Sequence, residues 1–200
     1  MDFGKNVKRY ALISVSDKKN INFLCKNLSM FNIKFISTGG TYKIIKNLGF
    51  NCMSISSITN FKEILDGRVK TLHPNLHASI LYKRNNKKHI SSFNKLNIPS
   101  IDFVIVNFYP FEKTIKSKYN NKVIEMIDVG GPAMIRASAK NYEFVTTICD
   151  SDDYKKLINN LKINQGINSY DFRKQMALKV FKKTSDYDKL IYNWFLKRTK

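Results

Sequence analysis

The sequence predicts an α/β fold: three layers, α/β/α, around a mainly parallel sheet. Three observations carry this. Short apolar runs alternate with segments of helical period along the 200-residue chain. One of these runs, Ile101–Phe108, is almost continuously apolar, as a strand buried on both faces requires. Glycines, hydroxyls and cations follow directly after several apolar runs, where open α/β sheets gather their ligands.

Taken in order, Tyr10–Val15 reads as the first strand, closed by Ser14-Val-Ser-Asp-Lys18, a turn and helix-cap signal. Ile21, Leu24, Cys25, Leu28 and Phe31 recur at helical spacing. Lys34–Ser37 is a second strand, ended by Thr38-Gly39-Gly40-Thr41. Tyr42, Ile44, Ile45 and Leu48 form the next helical face, with Gly49 as its C-cap. Cys52–Ile55 is a third strand. From there to about Leu81 the period is weak, which predicts a loop region with short helices. A helix over about Lys88–Leu96 leads into the strand Ile101–Phe108, which Tyr109-Pro110 terminates. Val123–Ile127 is helical. Gly130-Gly131-Pro132 opens another helix, with Pro132 at its first position. Phe144–Ile148 is the last strand, and Asp150-Ser-Asp-Asp153 starts a helix with acidic residues. A long helix or helix pair covers about 170–197. Its apolar face carries Phe172, Met176, Val180, Phe181, Tyr187, Ile191 and Trp194.

Composition fits one globular domain with a sizeable core, 43% of the residues being hydrophobic. The formal charge of +20 raises nucleic-acid binding as a hypothesis. Lysine outnumbers arginine 29 to 6, however, and is scattered in short pairs such as Lys87-Lys88 and Lys182-Lys183. No arginine-rich arm or recognisable binding module accompanies it, so nucleic acid is not the expected partner. A positive field still favours phosphorylated substrates. Cys25, Cys52 and Cys149 are odd in number and far apart, and read as free thiols in a reducing compartment. Neither a signal-peptide run nor a membrane span is present, which makes the cytoplasm the expected location and excludes a membrane partner.

The run Asp66-Gly-Arg-Val-Lys-Thr-Leu-His-Pro-Asn-Leu-His77 is the densest in chemistry. Arg68 offers a planar fork for phosphate or carboxylate. On extended backbone Lys70 would share its face. Two cations on one face suit an anionic small molecule better than a core strand. Ser37-Thr-Gly-Gly-Thr41, between a strand and a helix, reads equally as a phosphate-cradling turn and as a plain tight turn capped by Thr41. His73 and His77 lack a third ligand at zinc spacing, which favours structural roles. Alone, Tyr109 could cap the core, Asp128 could be a helix N-terminal charge, and Lys140 a last-turn cation.

Together these motifs resemble a known family, the inosine-monophosphate cyclohydrolase domain of the bifunctional purine-biosynthesis enzyme. In that enzyme the domain is joined to an aminoimidazole-carboxamide-ribotide transformylase. The matching runs are Ser14-Val-Ser-Asp-Lys18, Ser37-Thr-Gly-Gly-Thr41, Asp66-Gly-Arg-Val-Lys-Thr-Leu-His-Pro74, Val106-Asn-Phe-Tyr-Pro-Phe-Glu112, Ile127-Asp-Val-Gly-Gly-Pro-Ala133 and Arg136-Ala-Ser-Ala-Lys-Asn141. Thr184-Ser-Asp-Tyr-Asp188 resembles the family's domain end, so the likeness covers roughly 8–195.

The resemblance implies a methylglyoxal-synthase-like fold. It also implies dehydrative ring closure of 5-formamidoimidazole-4-carboxamide ribotide to inosine monophosphate, the last step of de novo purine biosynthesis. Ser16, Lys18, Thr38, Gly39, Gly40 and Thr41 would hold the phosphate. Arg68, Thr71 and Asn107 would line the substrate site. Lys70, Tyr109, Asp128 and Lys140 would form the catalytic group. No cofactor and no metal are implied. The expected partners are the ribotide monophosphate, a second copy in a homodimer, and a transformylase supplied separately. The chain stops about where the transformylase domain would begin, so the expectation is a single cyclohydrolase domain over 1–200 with a C-terminal helical extension over about 170–197.

Departures from the family pattern are Lys19-Asn20 in place of Thr-Gly, Ser79 in place of glycine, and Tyr142 in place of histidine. They bear on affinity and on the surroundings of the site more than on the reaction. Two competing readings share the fold. One is methylglyoxal synthase, whose catalytic aspartates find no matching pair here. The other is a non-catalytic regulatory ligand-binding domain. A straight helix from Pro132 would carry Lys140 about 12 Å along its axis, at about 1.5 Å per residue.

Overall fold

Strands β1 (Arg9–Val15) and β4 (Phe103–Asn107) form the centre of the sheet in the computed structural model, which describes residues 8–108, 111 and 120–198. β2 (Ile33–Ser37) and then β3 (Cys52–Ser54) flank β1, and β5 (Thr146–Ile148) flanks β4. The order is therefore β3-β2-β1-β4-β5, and every pairing is parallel. The expected parallel α/β sheet is the observed one.

Alternation along each strand sorts side chains between two cores. Ala11, Ile13, Val15, Ile33, Phe35, Phe103 and Ile105 meet the helices α1 (Ile21–Met30), α2 (Gly39–Asn47) and, further along the chain, α8 (Tyr154–Ile163). Leu12, Ile36, Val104 and Val106 meet the opposite layer. That layer holds α3 (Ser56–Thr59), α4 (Pro74–Leu81), α7 (Gly130–Lys140) and α9 (Tyr170–Leu196). Two further helices among the described residues are α5 (Lys87–Asn94) and α6 (Asn120–Glu125). Leu12 and Ile36 are fully buried. Truncating either to alanine costs about 2–5 kcal/mol.

Four differences from expectation have local causes. The fourth strand begins at Phe103 rather than Ile101 because the preceding residues are tied sideways. The Ile101 N–H donates to the Ser79 carbonyl at 3.1 Å, and the Asp102 carboxylate accepts the Tyr10 N–H at 2.9 Å. Arg84 pairs with the same carboxylate at 2.7 Å. The region expected as a loop with short helices does hold them, the difference being that one, α4, runs a full eight residues. Pro74 starts it, and the His73 side chain caps it by accepting the Asn75 N–H at 3.2 Å. α7 starts at Gly130, two residues before Pro132. Finally, α9 is one 27-residue helix, and Phe181 on it is 42% exposed with the Arg136 guanidinium over its ring. Ala177, Val180, Tyr187 and Trp194 of α9 lie in the main core, so this helix packs as an integral layer.

Candidate active site

Because the strands are parallel, β1, β2 and β4 end at one edge of the sheet. Ser16, Thr38 and Asn107 therefore converge there. Asn107 organises the first loop. Its Oδ1 accepts the Ser16 N–H at 2.6 Å, the Asp17 N–H at 3.1 Å and the Ser16 hydroxyl at 3.0 Å. Its Nδ2 donates to the Asp17 carbonyl at 2.9 Å. The amide is thus largely spent on shaping the loop that carries Lys18. Asn20, which stands at the usual glycine of the family pattern, has φ 59. Asparagine tolerates that left-handed backbone.

Lys18 turns back over the edge. Its Nζ donates to the Val15 carbonyl, to Thr41 Oγ1 at 3.2 Å and to the Ser16 carbonyl at 3.3 Å. Burial pushes its pKa below the ordinary lysine value; Asp17 opposes this and nearby Lys70 adds to it. Two cations held this close favour an anion between them. The α2 N-terminus faces the same edge. Thr38 gives no side-chain cap to the helix, because its hydroxyl pairs with that of Ser14 at 2.9 Å. The first N–H groups of α2 are left for an anion by this arrangement. A Cβ added at Gly39 or Gly40 would meet nothing within 4 Å, and Gly39 has φ 42. Packing inside the protein therefore does not demand Gly40, while backbone conformation favours glycine at 39.

Arg68 and Lys70 do not lie on the extended backbone that would put them on one face. An antiparallel bridge between Ile64 and Val69 closes a tight turn over Leu65–Gly67, and Arg68 adopts helical φ/ψ. The Arg68 fork lies outward on Glu125, with bonds of 3.1 and 3.0 Å. Lys70 is exposed, yet near enough to Lys18 and Asp128 to act on the charge of both. Thr71 is buried against the start of α7, where a Cβ on Gly130 would lie 2.3 Å from its hydroxyl oxygen.

Asp128 closes the group from the other side. Its Oδ1 accepts the Gly131 N–H at 2.8 Å, and its own N–H donates to the Tyr187 hydroxyl at 2.9 Å. Burial pushes its carboxyl above the ordinary carboxylate value, with Gly131 and Lys70 pulling the other way. A carboxyl so placed holds a proton more readily than a solvated aspartate does.

One chain thus gathers Ser16, Lys18, Thr38, Gly39, Gly40, Thr41, Lys70, Thr71, Asn107 and Asp128 at the carboxyl edge, with Arg68 at the rim. It does not bring Lys140 to them. α7 is continuous from Gly130, so Lys140 ends it about 15 Å away at about 1.5 Å per residue. Lys140 is exposed there, next to Asn141, whose Nδ2 bonds the Ile80 and Tyr82 carbonyls. Tyr109 lies outside the described residues. His73 spends its Nδ1 on its capping bond, and among the described residues no group of three His, Cys, Asp or Glu is placed to hold a metal ion. Tyr187 read as one more apolar-face residue in the sequence. Two signals of more were its hydroxyl, which needs a partner when buried, and its place in the run Thr184-Ser-Asp-Tyr-Asp188.

A parallel α/β domain with lysines, a glycine turn and a helix N-terminus at the carboxyl edge of its sheet has the geometry with which open α/β sheets meet anionic ligands. The family model for the MGS-like domain matches residues 20–133, and that for the AICARFT/IMPCHase bienzyme matches residues 138–200. The chain belongs to the MGS-like domain family. It is 46% identical to the bifunctional purine biosynthesis protein PurH of Caldicellulosiruptor saccharolyticus, over 92% of this chain and 36% of that protein. The PurH of Bacillus mycoides is 45% identical over 96% of this chain and 38% of that protein. The chain thus spans little more than a third of the length of these relatives. Among solved structures, ForH is similar, with TM-score 0.80 and 31% identity, covering 94% of this chain and 96% of that one.

Proposed function

We propose that this chain is an inosine-monophosphate cyclohydrolase, closing the purine ring of 5-formamidoimidazole-4-carboxamide ribotide with loss of water. The observation that carries the proposal is the convergence of Lys18, Lys70 and Asp128 at the carboxyl edge of the sheet. It supports an anion site beside a half-buried carboxyl, in a chain about 45% identical to the PurH proteins.

The chemistry fits these groups. The carboxamide nitrogen attacks the formyl carbon of the same molecule, forming the new C–N bond. The formyl oxygen leaves as water, carrying one proton from the carboxamide nitrogen and one from the formamide nitrogen. The nucleophile is poor, so alignment matters most, and holding the two groups together removes an entropy cost that can reach roughly 7–11 kcal/mol. The α2 N-terminus, Thr38, Thr41 and Lys18 hold the phosphate, and Arg68 swings in from the rim. Lys70 stabilises the charge growing on the former carbonyl oxygen. Asp128 carries a proton between nitrogen and departing water. In this reading Tyr109 assists at the oxyanion, and Lys140 enters by resemblance alone. A transformylase partner supplies the formylated substrate, the chain works as a homodimer, and its free thiols at Cys25, Cys52 and Cys149 suit the cytoplasm. Among the described residues no helix is long and apolar enough to cross a membrane.

The test is to mix the purified protein with synthetic formylated ribotide and follow inosine monophosphate, with Lys70→Ala and Asp128→Asn alongside. Turnover by the wild type that collapses in both variants is expected. A silent wild type that still binds the ribotide would overturn the catalytic reading in favour of a regulatory domain.

A further inference from the structure

Three elements distant in sequence meet at one side chain, Tyr187. It lies on α9 and is 6% exposed. Its hydroxyl accepts the N–H of Asp128 at 2.9 Å. Its ring packs on Phe108, directly after β4, with centroids 4.9 Å apart, and on Phe111 at 6.1 Å. Phe108 in turn supplies the carbonyl that accepts the Ser16 hydroxyl at 2.7 Å. Tyr187 therefore touches the residues on both sides of 109–110 and the backbone of the Asp128 turn, and it is one contact away from the loop carrying Lys18.

We infer that Tyr187 is a positioning residue, whose hydroxyl and ring together fix the Asp128 turn and the end of β4 in the geometry that the site needs. The catalytic part of this inference rests on the cyclohydrolase reading; the positional part does not. Asp128 is held at two points. Gly131 orients its carboxylate, and Tyr187 orients its backbone. Val129, next in the chain, is 60% exposed and gives no cap bond to α7. Its carbonyl accepts the Ala133 N–H at 3.2 Å and so fixes the helix start, but the Asp128 N–H is met by Tyr187. An aromatic ring alone could fill the space between Phe108 and Phe111. The hydroxyl is the part that only positioning explains, because it meets a backbone donor in a buried place.

The experiment uses Tyr187→Phe, which keeps the ring and removes the acceptor. Two readouts are taken on the whole chain: steady-state kinetics with the formylated ribotide, and amide hydrogen exchange of individual residues by NMR. The inference expects kcat to fall by about tenfold with KM within about twofold, the signature of lost alignment rather than lost binding. It also expects the Asp128 amide to exchange at least about tenfold faster, while the amides of Leu12 and Ile105 in the sheet keep their protection. Tyr187→Leu, which loses the ring as well, should fall further in kcat. Unchanged kcat in an active Tyr187→Phe protein would overturn the inference, and so would a loss of protection spread evenly over the sheet, which marks a purely structural role. A wild type that makes no inosine monophosphate overturns the cyclohydrolase reading instead. The exchange readout then decides the role of Tyr187 by itself, faster exchange confined to the Asp128 turn supporting it and an unchanged Asp128 amide refuting it.

Discussion

The carboxylate of Asp128 reaches forward to the N–H of Gly131, 2.8 Å away, and leaves no room for a methyl group on that glycine. A Cβ at 131 would lie 2.3 Å from Asp128 Oδ2 and 2.9 Å from its Cγ. The helix start and the acid are therefore one unit. The charge also suits the helix N-terminus.

Gly131→Ala must push that carboxylate aside. The atom displaced is the end of a short side chain, so the fold should lose only the cap bond, about 1 kcal/mol. Activity should lose more, about 100-fold in kcat, because the acid is rotated away from its work. Adding Asp128→Ala removes the clash, and the stability costs of the two changes should then fall short of additive. Urea unfolding and ribotide turnover of the four proteins would check this; full additivity in stability would contradict the clash.

Burial raises the Asp128 carboxyl above its ordinary 3.8. The folded chain then binds this proton more tightly than the unfolded chain. Stability falls as pH rises through the interval between the ordinary and the raised value, and the penalty is complete above it. Asp128→Asn removes the charge and keeps an oxygen for Gly131. It should melt higher than wild type at about pH 8, by roughly 2–4 °C per kcal/mol gained. The gain should shrink toward about pH 4, where the wild-type carboxyl is itself taking up its proton. Turnover should collapse at every pH. Equal melting temperatures at the higher pH would rule this out.

The layers of the fold were legible because burial on both faces leaves a mark in composition. The run ending at Asn107 could be nothing but a central strand, and the chemistry after Val15, Ser37 and Asn107 had to share an edge once the strands were parallel. The α4 helix was hidden because its cap is a histidine, an unusual choice, and its first residue a proline that reads as a breaker. The helical backbone of Arg68 and its pairing with Glu125 were hidden too. They depend on a turn with Leu65 at φ 54 and Asp66 at φ 53, conformations that non-glycine residues seldom signal. The remoteness of Lys140 was readable from helical rise alone. The Tyr187 bond was not, since nothing in a sequence says which backbone N–H a buried hydroxyl will meet.

Lys18 predicts a proton uptake. Its pKa is lowered first by burial and further by Lys70, against the pull of Asp17. A phosphate bound beside it restores the charged form, so the complex holds more proton than the free chain near the depressed value. Affinity should therefore fall as pH rises through that value. Calorimetry of inosine monophosphate binding just below the ordinary lysine value of 10.5, in two buffers of different ionisation heat, should report net proton uptake. Lys18→Met should abolish the uptake and weaken binding about 10- to 100-fold, the range of one charge-assisted contact. Binding without any proton change at that pH would place the phosphate elsewhere.

Arg68 is held at the rim by Glu125, both side chains more than half exposed at 63% and 58%. If Arg68 contacts the substrate, it must first leave this partner. An exposed pair contributes at most about 1 kcal/mol. Glu125→Gln should therefore leave the melting temperature within about 4 °C, since so small a change in stability moves it little. It should lower KM for the ribotide by about two- to fivefold, as the competing carboxylate is gone. The same gain should appear in the wild type as salt weakens the pair, until salt also screens the substrate phosphate. KM would then pass through a minimum as ionic strength rises, a shape that Glu125→Gln should lack. A KM that rises in Glu125→Gln would mean the opposite arrangement, in which Glu125 holds Arg68 in place for the substrate rather than away from it.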